Sequence, residues 1–154
     1  MLFVSDRERL LDLIKQRAIE HGEFVLSSGR TSNYYIDLRR ITLDGEAAPL
    51  VGRVMRELTA DLEYEAVGGL TLGADPIAAA MLHAAAAEGR TVDAFVVRKA
   101  EKAHGAGRRI EGPDVRGRRV LADRDTGARA RLEEAGLPYR YVYGVEELGL
   151  AGSA

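Results

Sequence analysis

A chain of 154 residues, 46% of them hydrophobic, can bury one core but is too short for two domains of ordinary size. Its net charge of −2 at pH 7 argues against general nucleic-acid affinity, and the absence of cysteine excludes disulfides and thiolate chemistry. No apolar run approaches the roughly 18 residues of a membrane span, and the histidines lack metal-ligand spacing. We therefore expect one cytoplasmic domain, residues 1–154, without a nucleic-acid partner, a membrane contact or a protein-held metal.

The first forty residues predict a helix followed by a small hairpin. Ser5 or Asp6 begins the helix and Gly22 ends it. Its apolar positions recur at helical spacing: Leu10, Leu13, Ile14 and Ala18. Two short strands, 24–26 and 34–36, flank a polar stretch and are expected to pair as a hairpin.

A second helix precedes a change to alternating strands and helices. Asp44 opens this helix, and a buried stripe follows along it: Ala47, Leu50, Val51, Val54, Met55 and Leu58. Residues 66–69 then predict a strand that enters the turn 70–75. Asp75 is placed as the N-cap of an alanine-rich helix, with Pro76 at its first position, running to about residue 88.

The remainder continues the same alternation. Strands are predicted at 95–98, 118–121 and 139–142, a helix from Asp125 or Thr126 to Ala135, and a closing helical turn at 145–148. Strands that alternate with helices indicate an α/β domain with a mainly parallel sheet flanked by helices.

The stretch from Arg98 to Gly105 follows a strand and is strongly basic. It places four potentially cationic side chains in seven positions: Arg98, Lys99, Lys102 and His104. Such a composition suits a mobile loop that closes over a polyanionic ligand. Composition alone favours the plainer interpretation, a solvated basic turn.

Three segments, in this order, resemble the orotate phosphoribosyltransferases, which have the type I phosphoribosyltransferase fold. They are 26–30 followed by Tyr34 and Tyr35, the turn 69–76, and the basic stretch 98–105. The third is the most specific, because its residue types, their spacing and their position after a strand all match the family's catalytic loop. The resemblance implies a mainly parallel sheet flanked by helices, with a small N-terminal hood over about residues 1–40.

The resemblance also implies an activity and a site. The family transfers a phosphoribosyl group from phosphoribosyl pyrophosphate (PRPP) to orotate, giving orotidine 5′-monophosphate and pyrophosphate in pyrimidine (UMP) biosynthesis. It implies catalytic roles for Lys102 and His104, Mg²⁺ bound through PRPP, and a homodimer in which loop 98–107 reaches the neighbouring subunit. The implied PRPP and pyrophosphate contacts are Arg98, Lys99, Lys102, His104, Thr71 and Gly73, and the implied orotate contacts are Arg124 and Tyr35.

The chain departs from the family pattern at three places. Leu72 and Ser27 stand where many relatives carry a lysine, so the backbone of the turn must hold the anion unaided. The family's PRPP signature, an acidic pair and a loop around the 5′-phosphate, does not follow the strand that ends at Leu121. Each lost charge-assisted hydrogen bond is worth about 1.5–3 kcal/mol, so weaker PRPP binding and lower stability are expected.

Two alignments account for the missing signature. In the first, a strand-loop-helix unit is absent after Leu121, and Asp123 with Arg124 belongs to the family's next strand end. In the second, a shortened PRPP loop remains: Asp123, Asp125, Thr126 and Gly127. The first explains more consecutive residues.

Two other functions compete with orotate phosphoribosyl transfer. One is a non-catalytic relative that binds orotate or an anion as a regulator or partner subunit. The other is transfer to a purine or to uracil, which the 98–105 pattern argues against, and Arg124, suited to a carboxylate, also favours orotate.

Overall fold

The computed structural model describes residues 4–26, 29–99, 109–123, 142–143 and 146–150. Three of the predicted site residues, Lys102, His104 and Arg124, lie outside this part of the chain. So do the predicted helix at 125–135 and most of the strand predicted at 139–142.

Helix α1 runs from Asp6 to Arg17 and begins with a capping box. The Ser5 hydroxyl accepts a hydrogen bond from the Glu8 amide at 3.2 Å, and the Glu8 carboxylate accepts one from the Ser5 amide at 2.9 Å. The predicted start is confirmed. The predicted end at Gly22 is wrong, because the chain turns at Ala18 and enters a strand.

The N-terminal hairpin is longer than predicted. Strand β1, Ile19–Val25, pairs antiparallel with β2, Thr31–Ile36, with Ile19 opposite Ile36. The Asp37 amide donates to the Ala18 carbonyl at 2.9 Å, which fastens the hairpin to the end of α1. A short helix, α2 at Arg39–Thr42, follows and was not predicted.

Helix α3, Ala47–Leu58, starts three residues after Asp44. The Asp44 carboxylate accepts hydrogen bonds from the amides of Glu46 and Ala47 at 3.0 and 2.9 Å, so it does satisfy the helix start, as predicted. Arg17 of α1 donates to the same carboxylate oxygen at 2.8 Å, which ties α1 to the start of α3.

Among the residues that the structure describes, the main sheet has four strands in the order β5-β4-β3-β6. Strand β3 is Ala66–Leu70, β4 is Asp93–Val97, β5 is Ile110–Glu111 and β6 is Val120–Asp123. The central strand β3 is parallel to both β4 and β6, and β5 pairs antiparallel with β4. Helix α4, Ala74–Ala87, connects β3 to β4. The predicted α/β architecture with a mainly parallel sheet is confirmed.

Within the described part of the chain, two buried clusters hold these layers together. One joins α1 to α3 around Leu13 and Ile41, and the other packs α4 on the sheet around Val67 and Met81. A Cβ added at Gly68 would lie 2.3 Å from the Phe95 carbonyl oxygen. The two central strands therefore approach too closely there for any side chain. Within the described ranges, no helix is both long and apolar enough to cross a membrane.

Candidate functional site

Three parallel strands end at the same edge of the main sheet. Strand β3 continues into Thr71, β4 into Arg98, and β6 ends at Asp123, opposite Gly69. The connection from β3 leads through α4 to β4 on one side, while β6 lies on the other side. In open α/β sheets, ligands bind beyond the carboxyl ends of the strands where the strand order reverses. The edge next to β3 is that position.

The chain between β3 and α4, which we call the 71–73 loop, is held at its first residue. The Thr71 amide donates to the Val97 carbonyl at 3.0 Å, and the Thr71 hydroxyl donates to Oδ2 of Asp75 at 2.6 Å. Leu72 is 73% exposed, and a Cβ built at Gly73 would meet no atom within 4 Å. The Thr71–Leu72 peptide bond is cis. The loop therefore presents its backbone to open space at the N-terminus of a fourteen-residue helix.

The basic stretch begins and ends at the same edge. The Arg98 amide donates to the Arg109 carbonyl at 2.8 Å, and Nε of Arg109 donates to the Arg98 carbonyl at 3.1 Å. The pairing of Val97 with Ile110 continues this closure into β4 and β5. Because Val97 also accepts from Thr71, the base of the basic loop is adjacent to the 71–73 loop. Lys99 at this base is exposed.

Two polar side-chain atoms at this edge are buried and have no hydrogen-bond partner. They are Oδ1 of Asp75 and Nε of Arg98, and they are the only two such atoms among the residues that the structure describes. The Arg98 guanidinium has one long ion pair, 3.5 Å from NH1 to Oε1 of Glu111. Buried polar groups are nearly always paired in native proteins, so unpaired ones mark a position where a ligand or water completes the bonding.

The structure brings together some of the predicted site residues and not others. Thr71, Gly73, Arg98 and Lys99 lie on adjacent segments at one edge of the sheet. Tyr35 lies on the hairpin, 41% exposed, with its ring centroid 5.7 Å from that of Phe24. No hydrogen bond joins it to the edge within the described segments.

Sequence reasoning missed three contributors to this edge. It took Asp75 for an N-cap, whereas Gly73 is the N-cap and Asp75 bonds the Thr71 hydroxyl. It also missed Arg109 and Glu111, which close the base of the basic loop. The signal for Asp75 was its spacing of four from Thr71. The apolar-charged pair at 110–111 is too short to predict a strand.

Strand β6 bears on the missing signature. It runs unbroken from Val120 through Leu121 to Asp123, so both flanks of the proposed deletion lie in one strand. Asp123 occupies the end of this strand at the edge, a position compatible with both alignments. The role of Arg124 stays a prediction.

Comparisons with known proteins identify relatives across nearly the whole chain. No family model matches it. The orotate phosphoribosyltransferase of Streptomyces avermitilis is 54% identical, covering 94% of this chain and 97% of the relative. Two solved structures of the Mycobacterium tuberculosis orotate phosphoribosyltransferase each cover 95% of this chain and all of their own. The complex with Fe(III) dicitrate has a TM-score of 0.80 at 46% identity, and the complex with PRPP has 0.76 at 42%.

One feature of the Streptomyces alignment concerns length. It extends over 177 positions, although this chain has only 154 residues. The relative therefore contains internal residues without a counterpart here, as the first of the two alignments requires. Identity at this level over nearly the full length of both proteins establishes membership. The chain belongs to the orotate phosphoribosyltransferase family.

Proposed function

We propose that this chain transfers the phosphoribosyl group of PRPP to orotate, giving orotidine 5′-monophosphate and pyrophosphate, a step in UMP synthesis in the cytoplasm. One observation carries the proposal: a buried unpaired acceptor and a buried unpaired donor, on Asp75 and Arg98, lie at the ligand-binding edge of a parallel sheet. The comparisons give no support to the non-catalytic alternative.

The 71–73 loop suits the diphosphate of PRPP. Backbone amides at a helix N-terminus bind anions, and the dipole of α4 favours negative charge there. Gly73 has φ −64° and no neighbour within 4 Å of an added Cβ, so neither the backbone angle nor the packing requires glycine. Close approach of a ligand to the backbone does explain it. Leu72 adds no charge, so the amides act alone.

The basic stretch supplies the charge that the leaving group needs. As the bond from ribose to pyrophosphate breaks, negative charge grows on the pyrophosphate oxygens, and preorganised cations stabilise that transition state. Arg98 and Lys99 are at the base of the loop. We assign leaving-group stabilisation to Lys102 and donation to the phosphates to His104. Closure of the loop would exclude water from the reactive ribosyl centre.

The remaining assignments follow the family resemblance. Tyr35 is proposed to cover the orotate ring, and Arg124 to bind its carboxylate through two parallel hydrogen bonds. A homodimer is proposed, with loop 98–107 reaching the partner's site. Within the described residues, no group of three or more histidine, aspartate or glutamate side chains could hold an ion. We propose that Mg²⁺ enters bound to the oxygens of PRPP.

A coupled assay of orotidine 5′-monophosphate formation from orotate, PRPP and Mg²⁺ tests the proposal. The parent chain should form product at high PRPP concentration. Lys102→Ala should lower kcat by about 10²–10³, the range seen when one transition-state donor is removed. Lys15→Ala, which changes an exposed lysine of α1, is the matched control and should retain the parental kcat.

Two results would refute the proposal. One is the absence of product at any PRPP concentration from a folded parent chain. The other is a Lys102→Ala variant with the parental kcat, which would remove the assigned role of the basic loop.

A further inference from the structure

The 71–73 loop is braced by a side chain four residues beyond its first position. The Thr71 hydroxyl donates to Oδ2 of Asp75 at 2.6 Å. A hydroxyl has a single proton, so while this bond is made the hydroxyl cannot also donate to a ligand. Any anion at this loop is then held by backbone amides, whose directions depend on how the loop is fixed.

The rest of the fold gives the loop little support. Leu72 is 73% exposed and Gly73 has open space around its Cα, while Ala74 is already buried in α4. The Thr71 amide is held by Val97, and the Thr71–Asp75 side-chain hydrogen bond spans the loop from there to the first turn of α4. The Thr71–Asp75 hydrogen bond therefore helps to fix the directions of the exposed backbone amides in the 71–73 loop.

The bracing of Thr71 would explain why a carboxylate occupies position 75. Its negative charge repels a diphosphate bound nearby, and so opposes the binding that the loop is proposed to perform. Asp75 does interact favourably with the dipole of α4, but an acidic residue elsewhere in the first turn would serve that purpose equally. Asp75, four residues after Thr71, is placed so that it reaches the Thr71 hydroxyl across the loop.

We propose that Asp75 is a positioning residue for the pyrophosphate group: it holds Thr71 so that the backbone amides of the 71–73 loop converge on the anion. This inference rests on the proposed function, since it concerns the same site. It predicts that the affinity for the anion depends on an acceptor oxygen at residue 75 and that the negative charge of the Asp75 side chain does not increase this affinity.

Matched variants separate the hydrogen bond from the charge. Asp75→Asn and Asp75→Ala are both neutral, but only the asparagine retains an acceptor oxygen for Thr71. Thr71→Ser and Thr71→Val leave Asp75 charged, but only the serine retains the hydroxyl donor. The probe is inorganic pyrophosphate with Mg²⁺, measured by isothermal titration calorimetry on the full chain, with thermal melts to verify folding.

We expect Asp75→Ala to bind pyrophosphate about tenfold more weakly than Asp75→Asn, and Thr71→Val about tenfold more weakly than Thr71→Ser. Adding Thr71→Val to Asp75→Ala should weaken binding no further, because the bond is already lost. In turnover, the KM for PRPP should rise in the variants that lack the bond, whereas the KM for orotate at saturating PRPP should not. A residue that only stabilises the fold would shift the melting temperature without this split.

Equal affinities within both matched pairs would overturn the positioning role, as would additive losses in the double variant. A parent that binds no pyrophosphate would overturn it too. Product formation by the parent reports separately on the proposed function. A parent that binds pyrophosphate but forms no orotidine 5′-monophosphate would end the proposed function, while the comparison of the four variants would still decide the role of Asp75.

Discussion

Gly73 has the backbone angles of an ordinary helical residue, and its α-carbon faces open space. Replacing it with alanine should preserve or raise stability, by about 0.4–1 kcal/mol, because the unfolded chain loses freedom while the folded chain meets no clash. The added methyl would occupy the space proposed for the diphosphate oxygens. We therefore expect Gly73→Ala to melt no lower than the parent but to raise the KM for PRPP about tenfold.

Gly45→Ala is the control for this substitution, since Gly45 also has no atom within 4 Å of an added Cβ and lies before α3. It should leave the KM for PRPP unchanged. A parental KM in Gly73→Ala would mean that no ligand approaches this backbone.

For individual residues, the sequence predicted which residues belong to the site better than it predicted the hydrogen bonds between them. It placed Thr71, Gly73 and Arg98 in one site through the resemblance to the family's pyrophosphate and catalytic loops. It did not find the bond from Thr71 to Asp75. Both a cap and a brace use an aspartate in the first turn, and only the side-chain rotamers distinguish them.

Asp44 links two elements, since it satisfies the amides at the start of α3 and receives Arg17 from α1. The hydrogen bond from the Ala47 amide is the main cause that lowers the pKa of Asp44 below its ordinary value of 3.8, against some desolvation and with help from the Glu46 amide and Arg17. The unfolded state therefore takes up a proton at higher pH than the folded state. The stabilisation is complete above pH 3.8 and is lost as pH falls through the lower, folded pKa.

Asp44→Asn should accordingly lower the melting temperature by a few degrees at pH 7, with the difference from the parent shrinking below pH 3.8. Thermal melts between pH 7 and pH 2.5 measure this. Asp12→Asn, at an exposed position of α1, provides the comparison and should follow the parent throughout. A difference that stays constant down to pH 2.5 would show that charge on Asp44 is not the cause.

Elements with strong periodicity were predictable, and weakly patterned ones were not. Helix α3 was found within three residues of its start, because its apolar positions repeat at the helical period. Helix α4 was found within two residues of its start from the Asp75-Pro76 pair and the alanine-rich run after it. Strand β1 was found only near its end. Its residues Glu20, His21 and Gly22 are exposed and do not alternate, so they give no strand signal. The four-residue helix α2 is too short for any period to show.

For the whole molecule, the internal residues that the Streptomyces relative has and this chain lacks predict a measurable defect. We expect the parent chain to bind PRPP mainly through the diphosphate group of PRPP and to make few contacts with its 5′-phosphate. Inserting the relative's additional internal residues after Leu121, where the first alignment places the missing unit, should restore several charge-assisted hydrogen bonds of about 1.5–3 kcal/mol each. The KM for PRPP should fall by about a hundredfold or more, with a higher melting temperature.

An insertion of equal length built from glycine and serine serves as the control and should improve neither quantity. Affinity for inorganic pyrophosphate should change little, because the 71–73 loop is present in every variant. If the relative's segment leaves the KM for PRPP unchanged, the gap does not remove the 5′-phosphate site.

One contact bears on how the chain reaches its fold. Arg7 of α1 donates to the Val142 carbonyl at 2.8 Å and lies over the Tyr143 ring, whose hydroxyl donates back to the Arg7 carbonyl; burial raises the pKa of Tyr143 to about 12. These partners are separated by 135 residues or more. During synthesis, α1 leaves the ribosome long before residues 142–143 are made. The surface of α1 that carries Arg7 therefore stays without these contacts until the C-terminal residues are made. We expect proteases to cleave ribosome-bound chains that end before residue 142 within α1 more readily than finished chains.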